Sequence, residues 1–502
     1  MTWTPPWTPK KMEALVKLQE RNEDREKELD KIFGKLNKTS GTDLRPYKWN
    51  WHKEAPKAAK IVEDAQEDAA NYQEMLEKEL AGLYTWPSRE LTDGKIFLPG
   101  KGVFATFNRK DTWFDDMGFS KYQTDYTFSD NWDKERIPVT ILVPKDLPVG
   151  HKAPVMWFFH GGGYCTGSGD FPAWYSQTAI KRAKAKKAII IAPDYPLGPE
   201  GNYKDIVDCL RDFLVWYRED GCFESDFTKW TEWLYKQKPV QNFTVDKNHV
   251  YVEGESAGGQ AAVTALWLNA TKGGPNLPID VALLRYPMIA HYKRKWDKCA
   301  DKTNGKMNYM GLWFTKEEVL KREADIAERI KWLESHSLVP TCSSRWPSKG
   351  MAFAFILSVT EKWQWYFQRQ HDFPKAKRDE TDYMDGIERA SNTRSSVSHE
   401  RLPPMYIFHG WNDPNCPIKD TKEFVRVLKT KYPERYMNDK NLRFDIVKEL
   451  AVRRSGNLDG SINNEYNSDN VGHGFDYWLD ETEEKSLRDA YDWVGDRWKT
   501  SS

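Results

Sequence analysis

Apolar and polar residues follow two rhythms along this chain. Up to about residue 90 the apolar positions recur at helical spacing within strongly charged sequence. Met12, Leu15 and Val16 are followed by Leu29, Ile32, Phe33 and Leu36, and Ile61, Val62, Ala65, Ala69, Tyr72, Leu76 and Leu80 fall on one face between Pro56 and Leu80. From about Gly94 the period changes. Tyr122, Thr124, Tyr126 and Phe128 alternate with polar residues, Ile137 to Val143 reads as a second strand, and Asn131-Trp132-Asp133 marks a turn between them. The run Pro154-Val155-Met156-Trp157-Phe158-Phe159 is continuously apolar, as a strand buried on both faces of a parallel sheet should be. Ala188–Ala192, His249–Val252, Val281–Leu284, Met405–Phe408 and Leu442–Val447 read as further strands. Tyr203 to Tyr217, the Ala/Leu-rich run after residue 259 and a segment near the C-terminus read as helices. Strands alternating with helices predict a mostly parallel sheet covered on both faces.

Between Tyr286 and Met405 the chain is too long and too patterned for a plain connection. Thr315-Lys316-Glu317-Glu318 is a capping box opening a helix through Leu333. The apolar run Met351–Leu357 follows, with Trp363, Trp365, Tyr366 and Phe367 after it. We expect four segments: an N-terminal helical extension over 1–92, the first part of an α/β core over 93–290, a helical insertion over 291–400, and the second part of the core over 401–502. The extension and the insertion are expected to cap the site. The bland alternative is that the insertion's aromatics form only its own core.

Charge narrows the function classes. Lys+Arg and Asp+Glu are both 75, so no one-signed field points to nucleic acid or to an anionic membrane. The basic run Lys181–Lys187 is expected to be a solvated helix end. Six scattered cysteines contain no C-x-x-C pair, and Met1-Thr2-Trp3-Thr4-Pro5-Pro6 lacks the layout of a signal peptide. These features predict a cytoplasmic protein with reduced thiols and no membrane insertion, whose N-x-S/T matches at Asn37, Asn242 and Asn269 carry no glycan. Oligomeric state stays open between monomer and homodimer.

Three stretches carry candidate chemistry. Gly254-Glu255-Ser256-Ala257-Gly258 stands between an expected strand and an expected helix, so it reads as a sharp turn that presents Ser256 Oγ as a nucleophile. Alone the pattern is weak, because G-x-S-x-G should occur by chance in about one chain in six of this length. His160-Gly161-Gly162-Gly163, directly after a buried strand, is far rarer. Glycine lets backbone N–H groups approach a developing oxyanion, and Gly162, Gly163 and Ala257 are the expected donors. A serine hydroxyl needs a base, and the base an acid to orient it. Asp413, in the loop after Met405–Phe408, is the expected acid, with Asp420 and Asp445 as rivals. His473, in the loop Asn470-Val471-Gly472-His473-Gly474, is the expected base, with His409 as rival.

These motifs resemble those of the α/β-hydrolase superfamily, specifically the hormone-sensitive-lipase-like carboxylesterases. The residues that carry the likeness are His160 to Gly163, Asp194-Tyr195-Pro196-Leu197-Gly198-Pro199-Glu200, Gly254 to Gly259, Asp413 and His473. The resemblance implies an α/β-hydrolase fold, ester hydrolysis without metal or cofactor, and a cap built partly from N-terminal helices. It also implies oxyanion donation by Gly162 and Gly163. The chain departs from that family's pattern in Pro196, where Arg is usual, in Glu255, where Asp is common, and in a long loop from Ala451 to Asn470. Glu255 makes the elbow similar to that of the cholinesterase-like esterases, whose triad acid is a Glu. The expected function is hydrolysis of a bulky apolar or aromatic acyl ester, a small-molecule substrate. The alternatives are acyl transfer or polyketide release with the same residues, and ligand binding without catalysis.

Overall fold

The computed structural model describes residues 112–129, 135–148, 150–198, 203–218, 243–289, 401–413, 415–450, 471–477 and 479–500, with isolated positions and three short strands elsewhere. The chain divides into two compact units, Met1–Thr85 with Asp226–Val240, and the remainder. Of the first, only isolated helical positions such as Arg21, Lys27, Lys60 and Asp64 belong to the described set. The expected helical extension over 1–92 therefore lies outside the described residues. So do the turn at Asn131–Asp133, Pro199 and Glu200, the loop 451–470, and most of the insertion over 291–400.

The second unit is built on an eight-stranded sheet. In chain order its strands are β1 (Phe119–Ser129), β2 (Glu135–Pro144), β3 (His151–Phe159), β4 (Ile189–Pro193), β5 (Phe243–Glu255) and β6 (Ile279–Arg285). Three short strands form a separate antiparallel sheet, β7 (Ala300–Asp301), β8 (Lys306–Tyr309) and β9 (Leu312–Phe314). Then β10 (Met405–Gly410) and β11 (Leu442–Val447) return to the main sheet. The order is β1-β2-β4-β3-β5-β6-β10-β11, antiparallel where β2 meets β1 and β4 and parallel from β4 onward. Strand β3 is buried from Ala153 to Phe159 and β4 along its whole length, so the continuous apolar runs are the strands covered on both faces.

Strand β5 is longer than its apolar half suggests. Lys152–Pro154 of β3 pair with Thr244–Asp246, and Val155 then pairs with Val250. Residues 247–249 bulge out between the two halves, and this polar interruption hides the first half from an apolar pattern.

Helix α1 (Gln177–Ala185), α2 (Tyr203–Tyr217), α3 (Ala257–Ala270), α4 (Ile418–Lys431) and α5 (Lys485–Gly495) are the longer described helices. All fourteen residues of α3 are buried, because it packs against β5 on one side and α2 on the other. Buried Asn269 donates from its amide to the Leu277 carbonyl at 2.9 Å and accepts from the Leu277 N–H at 2.7 Å, so that N-x-T match is closed to modification in the folded chain. The basic run on α1 is not a solvated end, contrary to the sequence expectation. Arg182 pairs with Glu481 and Asp492 at 2.6 Å, and Lys186 donates to the carbonyls of Gly495 and Trp498, so α1 fastens the C-terminal segment. Among the described residues no helix is long and apolar enough to cross a membrane.

Candidate active site

The parallel strands deliver their C-terminal ends to one edge of the sheet, and four loops meet there. The first is the turn between β5 and α3. Ser256 has φ 54° and ψ −121°, a conformation L residues rarely adopt. It is held by its N–H donating to the Arg285 carbonyl at 3.0 Å and by its carbonyl accepting from Met288 at 2.8 Å. A Cβ on Gly258 would stand 2.0 Å from the Phe159 carbonyl oxygen, and one on Gly254 would stand 2.3 Å from the Gly258 oxygen. These glycines let α3 start flush against the end of β3.

The second loop follows β3. Gly162 and Gly163 have φ of +102° and +62°, and Tyr164 continues the left-handed turn at 58°. The Gly162 carbonyl accepts from Cys165 and Thr166, and a Cβ on Gly162 would meet the Thr166 oxygen at 2.1 Å. Among the described residues, neither the Gly162 nor the Gly163 N–H donates to a backbone acceptor. The loop is braced from behind. The Tyr195 ring stacks on the His160 imidazole at 4.2 Å and its hydroxyl donates to the His160 carbonyl, while Asp194 accepts from the Gly169 N–H. Burial pushes the His160 pKa down to about 4, so the ring is neutral near pH 7 and serves as packing.

The third element is a pair of loops after β10 and before α5. Asp413 Oδ1 accepts from the N–H groups of Asn415 at 2.8 Å and Cys416 at 2.9 Å. Its Oδ2 is 2.7 Å from His473 Nδ1, and His473 Nε2 is 2.9 Å from Ser256 Oγ. With the imidazole proton on Nδ1, one chain of hydrogen bonds runs from the serine hydroxyl through the ring to the carboxylate. Burial opposes ionisation of Asp413, but the charges and hydrogen bonds of His473 and His409 hold its pKa below the usual carboxylate range. Burial would lower the His473 pKa, and the Asp413 carboxylate outweighs that and raises it.

The rivals lie elsewhere. His409 is fully buried, with Nε2 2.7 Å from the Cys416 carbonyl and 3.3 Å from Asp413 Oδ2, and Nδ1 3.1 Å from Thr421 Oγ1. It supports the acid's loop and does not face the serine. Asp445 pairs with Arg443 and Tyr406, and Asp420 lies in the first turn of α4.

Beneath these groups is a buried polar cluster that no sequence pattern announced. Arg285 Nε is 3.1 Å from Glu253 Oε1, and Nη1 donates to Asp476, which also accepts from Tyr286 OH at 2.6 Å. Glu255, beside the serine, accepts from Tyr477 OH at 2.6 Å and lies against Gly161, where an added Cβ would be 2.0 Å from Oε1. Burial lifts its pKa to about 6, opposed by Arg285 and the Tyr477 hydroxyl. The Tyr286 ring meets the His473 imidazole edge-on at 4.7 Å. Arg109 donates to the carbonyls of Pro172, Tyr175 and Tyr477, tying the histidine's loop to the segment before α1. Cys416 Sγ, 3.9 Å from Ser256 Oγ, is the other group the sequence did not single out. From the long insertion, Ala354 reaches this loop. Its Cβ is 3.2 Å from where a Gly163 Cβ would stand, and Ala354, Leu357 and Trp363 are helical and buried.

Residues 156–341 match a family described as an alpha/beta hydrolase fold. The probable carboxylesterase M8 of Phoma sp. is 29% identical over 196 residues, 39% of this chain and 52% of that protein. Arylacetamide deacetylase of Bos taurus is 26% identical over 170 residues, 34% of this chain and 36% of that protein. The matches thus span about half or less of the length of these curated relatives. Esterase LipW from Mycobacterium marinum, a solved structure, is similar with a TM-score of 0.43 and 15% identity, over 83% of this chain and 90% of that one. With residues 156–341 matched and Ser256 on the strand-to-helix turn of an eight-stranded, mostly parallel sheet, the chain has an α/β-hydrolase fold.

Proposed function

We propose that the chain is a serine carboxylic-ester hydrolase, and that Ser256, His473 and Asp413 carry the reaction. The observation that supports this most is the unbroken chain of contacts, 2.9 Å from Ser256 Oγ to His473 Nε2 and 2.7 Å from His473 Nδ1 to Asp413 Oδ2. Ser256 Oγ attacks the acyl carbonyl while His473 Nε2 takes its proton, and Asp413 stabilises the imidazolium that forms. The oxyanion accepts from the N–H groups of Gly162, Gly163 and Ala257, a role supported by the positive φ of the two glycines, whose N–H groups donate to no backbone acceptor among the described residues. His473 returns the proton to the leaving alcohol, and water then releases the acyl group by the same steps in reverse.

The substrate is an acyl ester with a bulky apolar or aromatic portion. Support comes from the aromatic insertion, whose Ala354 packs near Gly163, and from relatives named as carboxylesterases and an arylacetamide deacetylase. The test is hydrolysis of p-nitrophenyl acetate, butyrate and octanoate by the purified protein, beside labelling with a fluorophosphonate. Both signals should vanish in Ser256→Ala. Turnover that persists in that variant refutes the proposal.

A further inference from the structure

Cys416 stands inside the site without a part in the proposed chemistry. The N–H groups of Asn415 and Cys416 both donate to Asp413 Oδ1, at 2.8 Å and 2.9 Å. That closure brings the carboxylate and the thiol of one short loop together facing His473. One ligand atom from each of Asp413, Cys416 and His473 lies within 4.8 Å of the other two, and Asp413 and Cys416 are buried. In tetrahedral zinc sites, with bonds of about 2.0–2.3 Å, ligand atoms stand roughly 3.4–3.6 Å apart. The widest separation therefore has to close by about 1 Å at most, and if Nδ1 is the ligand its 2.7 Å contact with Asp413 Oδ2 has to open by about 0.7 Å, both small side-chain adjustments. Ser256 Oγ, 2.9 Å from His473 Nε2 and 3.9 Å from Cys416 Sγ, marks the fourth corner for an oxygen ligand.

We infer that Asp413, Cys416 and His473 form an inhibitory site for a thiophilic divalent cation of the zinc class. One carboxylate oxygen, one sulfur and one imidazole nitrogen make a borderline-soft set, which suits Zn²⁺ and Cd²⁺ and not Mg²⁺ or Ca²⁺. On binding, the thiol releases its proton to solvent and the sulfur–metal bond replaces the S–H bond. Carboxylate and thiolate together neutralise the ion, which a buried site requires. Bound through Nε2, the metal takes the lone pair that would accept the serine proton. Bound through Nδ1, it leaves the proton on Nε2. In either case the base is lost. That consequence rests on the proposed hydrolase reading, whereas the binding site does not.

The test titrates the EDTA-stripped protein with Cd²⁺, following the ultraviolet cadmium–thiolate charge-transfer band and p-nitrophenyl butyrate hydrolysis in the same samples. The wild type should gain one band equivalent and lose turnover at the same midpoint, Zn²⁺ should compete in both readouts, and EDTA should restore the rate. Cys416→Ala should lose the band. Its inhibition, scored against its own metal-free rate, should weaken by more than the roughly 10–100-fold that loss of an outer-shell partner alone costs. His473→Asn should weaken the band's midpoint by a similar factor. A band and an inhibition midpoint unchanged in Cys416→Ala overturn the inference, as does a Cys416-dependent band that leaves turnover intact. A band that depends on Cys416 and His473 in a protein with no ester hydrolysis upholds the site and overturns the hydrolase reading instead.

Discussion

Asp413→Asn separates orientation from mere packing at the proposed site. Oδ1 of Asp413 faces two backbone donors, Asn415 N at 2.8 Å and Cys416 N at 2.9 Å, while Oδ2 faces His473 Nδ1 at 2.7 Å. An asparagine therefore has one acceptable orientation. Its oxygen must replace Oδ1, since an NH₂ there would confront two N–H groups, and its NH₂ must then face Nδ1. The ring answers by moving its proton to Nε2, where it points at Ser256 Oγ and cannot accept from it. The variant thus keeps its volume and its backbone acceptor but holds the wrong tautomer. Loss of that orientation costs about 10⁴ in kcat, equivalent to about 5.5 kcal/mol in the barrier. Removing the carboxylate also removes the charge that raises the His473 pKa, so the acid limb of kcat/KM should move to lower pH. The assay is the pH dependence of p-nitrophenyl butyrate turnover, with thermal unfolding as a check on the fold. A folded variant that loses less than about tenfold in kcat (under 1.4 kcal/mol) would falsify the assignment of Asp413.

Further outcomes follow from other contacts. Gly162→Ala places a Cβ 2.1 Å from the Thr166 carbonyl at φ +102°, so the loop must shift and its donors with it; kcat should fall by about 10²–10³ with KM changed far less. Arg285→Met leaves Glu253 and Asp476 buried without their shared cation, and urea unfolding should show a loss of about 3–5 kcal/mol. Glu255 has a folded pKa of about 6 against an ordinary 4.5, so the folded protein holds this proton more tightly than the unfolded chain. The associated stability is present below pH 4.5 and lost as pH rises through about 6. Glu255→Gln should accordingly gain on wild type by about 2 kcal/mol between those limits in matched urea titrations, and a difference independent of pH would exclude the shift.

Most of the scaffold was readable because its signals are local. Continuous apolar runs mark β3 and β4, helical periodicity marks α2 over the residues observed, and the two glycine motifs stand where β3 and β5 end. What escaped is non-local. Arg285, Glu253 and Asp476 look like ordinary charges in sequence, yet they are buried together from three separated segments. Nothing within a few residues of Asp476 shows that an arginine 191 positions away will face it. The choice between His473 and His409 depended on which loop carries each ring toward the serine. The basic run on α1 misled because solvation was assumed where the C-terminal acidic residues in fact dock.

The buried cluster also bears on the direction of the proposed reaction. Moving the serine proton to His473 creates a cation in a site largely closed to water. Asp413 contacts that ring directly, and Glu255 interacts with it through space from the position next to the nucleophile. Behind them, Glu253 and Asp476 share a single guanidinium. Among the described residues carboxylates thus outnumber cations around the imidazole, and the field they set up is in place before the substrate arrives. Such a field favours the imidazolium over the neutral ring throughout the steps in which it forms, without reorganisation at the moment of reaction. The charge of Glu255 varies near neutrality, since burial places its pKa at about 6. It therefore strengthens the base above that pH and weakens it below, and the same carboxylate that costs stability when ionised works in favour of the proton transfer.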